Sequence, residues 1–78
     1  MAKDLVWDNI MLAEFRKLAI LTEDENKVLD CWANSYSTVK TGFKCSMADR
    51  TVERCLQTIR RKYDAVQPYS PLLPKRKL

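Results

Sequence analysis

The chain has no histidine, three cysteines and a single glycine among its 78 residues, and these counts limit its chemistry before any fold is drawn. Without histidine it can build no Ser-His-Asp triad, no Cys-His dyad and no His-ligated metal centre. No other nucleophile–base pair stands out, so the sequence predicts a protein that is not an enzyme and uses no cofactor or metal. One glycine, Gly42, cannot make a glycine-rich phosphate loop. Cys31, Cys45 and Cys55 form no CxxC pair and are too few for a disulfide framework; each reads as a small apolar filler on a helix. The acidic run Glu23-Asp24-Glu25 follows Thr22, so it reads as the start of a helix and not as a catalytic carboxylate pair. What remains is a set of polar and mostly basic side chains from Arg50 to Lys62. These are groups that bind a partner and do not transform one.

Charge points the same way. The total is +4, but residues 1–49 carry six basic and eight acidic side chains, whereas residues 50–78 carry eight and two. A body of net −2 joined to a C-terminal third of net +6 suits a polyanionic partner. A solvated helix and a charged tail would give the same sums. The balance of 46 % hydrophobic to 31 % charged residues is that of an ordinary folded domain. Apolar runs stop at four residues, as in 10–13, so no membrane span is expected. Asp4, Asp8 and Glu14 interrupt what a signal peptide would keep apolar, and a cytoplasmic location is expected.

Helices must position these groups. Trp7, Met11, Phe15 and Leu18 recur at helical spacing and predict a first helix over 4–20, capped by Asp4 or Asp8. That stripe reads either as cover for the core or as a homodimer face formed by Trp7, Met11 and Phe15. Thr22 and Glu25 form a capping box ahead of Val28, Leu29, Trp32 and Ala33, and Asn34-Ser35 ends this second helix. Ser37 caps a short third helix to Cys45; Gly42 within it suggests a close approach by another helix. Ser46 and Asp49 resemble a second capping box, opening a fourth helix that runs to Tyr63 or Asp64. Val52, Cys55 or Leu56, Ile59 and Tyr63 make its narrow apolar stripe. The wide basic face beside that stripe has the form needed to enter a major groove about 12 Å across. Pro68, Pro71 and Pro74 then predict an extended tail over 67–78, ending in Lys75-Arg76-Lys77. It reads as a phosphate-binding arm or a solvated end, although Tyr69, Leu72 and Leu73 are apolar enough to fold back. The expected fold is all-α: an N-terminal helix plus a three-helix helix-turn-helix unit (about 37–63) in one domain over 1–66.

Residues 21–63 also resemble the DNA-binding domain of LuxR-type transcription regulators and, more distantly, region four of sigma factors. Leu21-Thr22, Glu25, Val28-Leu29 and Ala33 match that family's LT-x-x-E-x-x-VL-x-x-x-A opening. Met47, Thr51-Val52, Leu56, Ile59 and Lys62 match its I-x-x-x-TV-x-x-x-L-x-x-I-x-x-K signature. The chain departs from the pattern at Thr41, Gly42 and Cys45, where the family has an Ile-Ala pair and a leucine, and at Ser35, where it has glycine. The family's C-terminal dimerisation helix has no counterpart, and an extra helix precedes the domain. The form resembles a stand-alone bacterial module of the phage or mobile-element type.

The resemblance implies that Glu53, Arg54 and Gln57 read bases, with Arg50 and Arg61 beside them. Arginine bonds bidentately to guanine and glutamine to adenine, while glutamate accepts from cytosine N4. Thr38, Lys40, Lys44, Arg60 and Lys62 are better placed as phosphate contacts, and Lys75, Arg76 and Lys77, outside the resemblance, read as an arm on phosphates or in a minor groove. The expected function is sequence-specific binding of double-stranded DNA in transcription regulation. RNA polymerase is a further candidate partner. The alternative is a protein-interaction module, with polymerase or a phage-assembly component as partner, built on a degenerate helix-turn-helix.

Overall fold

The first three helices each begin at a side-chain cap. In the computed structural model, which describes residues 7–75, α1 spans Asn9–Leu18. Asp8 caps it, its carboxylate accepting from the Met11 amide at 2.8 Å. The helix is shorter than the expected 4–20. Ala19 turns to extended backbone and closes the last turn with its amide on the Phe15 carbonyl, while Asp4 lies outside the described residues. The helix α2, Glu23–Ala33, starts with the complete capping box: the Glu25 amide donates to the Thr22 hydroxyl and the Thr22 amide to the Glu25 carboxylate, each at 3.2 Å. The side-chain amide of Asn34 donates to the Asp30 carbonyl at the other end. Ser35 then takes a left-handed turn at φ 67, a conformation glycine adopts at less cost.

The third helix, α3, spans Thr38–Cys45 and is capped by Ser37, whose hydroxyl accepts from the Lys40 amide. Its inward side is made of small residues, with Thr41 and Gly42 buried. The glycine is required, because a Cβ there would sit 2.7 Å from the Met47 carbonyl oxygen. The close approach inferred for Gly42 is therefore made by the α3–α4 turn, not by another helix.

The last helix, α4, spans Asp49–Val66. The capping box expected from Ser46 and Asp49 is absent. Ser46 instead closes α3 in a left-handed conformation (φ 55), and Ala48 precedes α4 with no side-chain cap. The helix also runs past Tyr63 and Asp64, because Val66 still packs on the core; Pro68 then sits in a 3-10 turn at Gln67–Tyr69.

The four helices enclose one core. Phe15, Val28, Leu29, Val52, Ile59 and Tyr63 are fully buried. The Trp7 ring lies within 5.6 Å of those of Phe15, Trp32 and Tyr63, edge-on to the last two, a favoured aromatic arrangement. The described part of the segment after α4, residues 67–75, folds back on this core. Leu73 is 2 % exposed. Gln67 donates to the Leu73 carbonyl at 3.0 Å, the Tyr63 hydroxyl donates to the Pro74 carbonyl, and the Ser70 hydroxyl donates to Glu14. Burying one leucine stabilises by about 1.5–3 kcal/mol, enough to hold a short segment that has polar anchors at both ends. Of its apolar residues only Leu73 is inside; Tyr69 is 83 % exposed and Leu72 49 %. Among the described residues, no helix is long and apolar enough to cross a membrane.

Candidate nucleic-acid interface

The polar face of α4 follows from its buried one. With about 100° of turn per residue, Val52, Ile59 and Tyr63 point one way, and Arg50, Arg54, Gln57 and Arg61 cluster within about 60° on the opposite side. All four are exposed, as is Glu53 at the edge of the cluster. Their side chains make no hydrogen bond or ion pair with another described residue. At about 1.5 Å of rise per residue the row from Arg50 to Arg61 is roughly 16 Å long, the reach of about five base pairs. The polar residues expected to read bases are thus brought onto one accessible helix face.

The cations assigned to phosphates divide into two groups. Lys40 and Lys44 stand on exposed positions of α3, with Lys40 4.2 Å and Lys44 6.0 Å from the centre of the Tyr36 ring. This stacking orients the ammonium groups and leaves them in solvent. Thr38 is half-buried at the first turn of α3. Lys75 is exposed, while Arg76 and Lys77 lie outside the described residues.

Lys62 and Arg60 are held against other parts of the fold. The Lys62 ammonium donates to the Ile20 carbonyl at 2.7 Å and to the Glu25 carboxylate at 2.6 Å. It ties α4 to the α1–α2 link and to the capping box of α2. The same carboxylate serves the Thr22 amide, so Lys62 completes a network inside the fold. Arg60 lies with its guanidinium 5.1 Å from the centre of the Trp32 ring and is half-buried. Neither side chain belongs to the row made by Arg50, Arg54, Gln57 and Arg61.

The dimer face expected from Trp7, Met11 and Phe15 is turned inward. Phe15 is fully buried, Met11 is 6 % exposed and Trp7 packs on the same core with its ring against that of Phe15. An isolated helical stripe cannot tell a core-facing side from a partner-facing one; the packing of α4 on that side decides it. The apolar residues that do reach the surface lie elsewhere. Val39 and Phe43, one turn apart on α3, are 56 % and 84 % exposed. They rim a hollow of about 340 Å³ that extends over the α3–α4 turn to Met47 and Asp49. The signal was present in the spacing, since Thr38, Thr41 and Cys45 define the inward side of α3 and leave 39 and 43 on the other.

The thiols are free. Cys31 is buried on α2 and its Sγ lies 3.8 Å from Sγ of Cys45 at the end of α3. Burial, and then the contact with Cys31, pushes the Cys45 thiol above its ordinary value; burial does the same for Cys55. No protein family matches the chain, and no curated protein or solved structure does either.

Proposed function

We propose that the protein binds double-stranded DNA, with α4 in the major groove, and regulates transcription by occupying its site. The observation that carries this reading is the row of Arg50, Arg54, Gln57 and Arg61: long polar side chains that make no hydrogen bond or ion pair among the described residues, on the side of α4 opposite the core. Arg54 and Gln57 occupy its middle and are the residues assigned to guanine and adenine edges, with Glu53 beside them for cytosine. Lys40 and Lys44, exposed on α3, meet phosphates. The left-handed Ser35 gives a physical reason for a glycine in the family pattern at that position, which supports the resemblance. Such a role places the protein in the bacterial cytoplasm, where the DNA is.

A fluorescence-anisotropy titration against a pool of mixed-sequence duplexes tests it. Five exposed cations, Lys40, Lys44, Arg50, Arg54 and Arg61, are available on α3 and α4. If about four of them neutralise phosphates, log K falls with log salt at a slope of about −3.6, a loss of roughly 150-fold from 50 to 200 mM. No binding to any duplex at 50 mM salt would refute the proposal.

A second reading, a module that contacts another protein such as a polymerase subunit, has one observation in its favour: the exposure of Val39 and Phe43. It predicts association that is insensitive to salt and lost in Phe43→Ser, with no DNA binding.

A further inference from the structure

We infer that Cys31 and Cys45 form a reversible intramolecular disulfide that staples α2 to α3, with Cys55 left as a thiol. The two sulfurs, 14 residues apart in the chain, already face each other at 3.8 Å. A disulfide requires about 2.0 Å, so they must approach by roughly 1.8 Å. Cys45 is placed to make that movement. It is the last residue of α3, it is half-buried, and left-handed Ser46 follows it, so its side chain can turn without disturbing the middle of the helix. Cys31 is held inside α2 and serves as the fixed partner. Cys55, on α4, makes no sulfur contact among the described residues.

The reaction is thiol–disulfide exchange with a small-molecule disulfide such as oxidised glutathione. The more accessible Cys45 loses its proton and attacks one sulfur of the oxidant, forming a mixed disulfide and releasing one thiol. Cys31 then loses its proton and attacks the Cys45 sulfur. The Cys31–Cys45 bond forms and the second small thiol leaves. Two protein thiols and one disulfide give one protein disulfide and two thiols, and excess reductant runs the sequence backwards. The second step is intramolecular between groups already in contact, so the mixed disulfide should not accumulate. The raised Cys45 thiol makes the first step slow near neutrality and faster as pH rises.

The full chain, fully reduced, is exposed to oxidised glutathione at pH 7 and at pH 8.5, quenched with an alkylating agent and digested with trypsin. The sequence places Cys31, Cys45 and Cys55 on three different tryptic peptides, 28–40, 45–50 and 55–60, so pairing is read directly by mass. The expected product links 28–40 to 45–50 with Cys55 alkylated, forms faster at pH 8.5 and disappears with dithiothreitol. Its midpoint of thermal unfolding should rise by on the order of 10–20 °C, because a loop of about 15 residues is closed in the unfolded chain. Cys55→Ser should leave the cross-link intact, and Cys45→Ser, at the more accessible position, should abolish it even if Cys31→Ser fails to fold. Stable glutathione adducts, a cross-link that includes Cys55, only intermolecular dimers, unreacted thiols, or a cross-link that lowers the midpoint would each overturn the inference.

Discussion

Replacing Gly42 with alanine tests the architecture at its tightest point. In the middle of an exposed helix this change stabilises by about 1 kcal/mol, because glycine loses more backbone freedom on folding than alanine does. Here the sign should reverse. The added methyl would lie 2.7 Å from the Met47 carbonyl oxygen and 3.4 Å from a carboxylate oxygen of Asp49. The first of these partners is backbone, and it cannot swing away as a side chain would. It is also held in place, because the Met47 amide donates to the Gly42 carbonyl at 2.9 Å. The methyl must push the α3–α4 turn outward, lengthen that bond and tilt α4. Overpacking of this kind costs about 1–3 kcal/mol, and a rigid backbone partner puts Gly42 at the upper end. After the gain in helix propensity, the net loss is about 1–2 kcal/mol. For a chain of this size each kcal/mol moves the unfolding midpoint by about 4–8 °C, so the variant should melt roughly 5–15 °C below the parent. A thermal melt followed by far-UV circular dichroism measures this directly. A midpoint equal to or above that of the parent would show that the turn yields freely and would refute the reasoning.

Three other substitutions separate structural from binding roles. Lys62→Ala should lower stability by about 1 kcal/mol, discounted for its partial exposure, and leave the salt dependence of DNA binding unchanged; a slope shallower by about 0.9 would return Lys62 to the phosphate contacts. Arg54→Ala should keep the unfolding midpoint within about 2–4 °C of the parent while costing about 1–3 kcal/mol of discrimination at one base pair. Equal loss on every sequence tested would make Arg54 a phosphate contact. Leu73→Ala should destabilise by about 2–5 kcal/mol in a urea titration, as for any core leucine. A loss below about 0.5 kcal/mol would mean that the segment after α4 is not part of the core.

The sequence by itself determined the helices and both ends of α2 and α3, because those signals are local. Thr22 with Glu25, Ser37 before α3 and the apolar periods of α1, α2 and α4 act within a turn or two of chain, and they do in the structure what their spacing implies. The exposure of Arg50, Arg54, Gln57 and Arg61 was legible for the same reason: a narrow apolar stripe fixes the opposite face. Tertiary structure decided everything that depends on a distant neighbour. Ser46 looked like the cap of the helix after it and became the close of the helix before it, since the turn had to fold back against Gly42. Met11 and Phe15 became core because α4 packs on that side of α1, with the rings of Phe15 and Tyr63 5.5 Å apart. Leu73 was drawn in past two prolines, held where Gln67 and Tyr63 donate to the Leu73 and Pro74 carbonyls. Lys62 was read as a surface cation until Ile20 and Glu25, 42 and 37 residues away, were brought within hydrogen-bonding distance of it. A side chain's charge is written in the sequence, but whether that charge is spent inside the fold or left for a partner depends on which groups the packing brings to it.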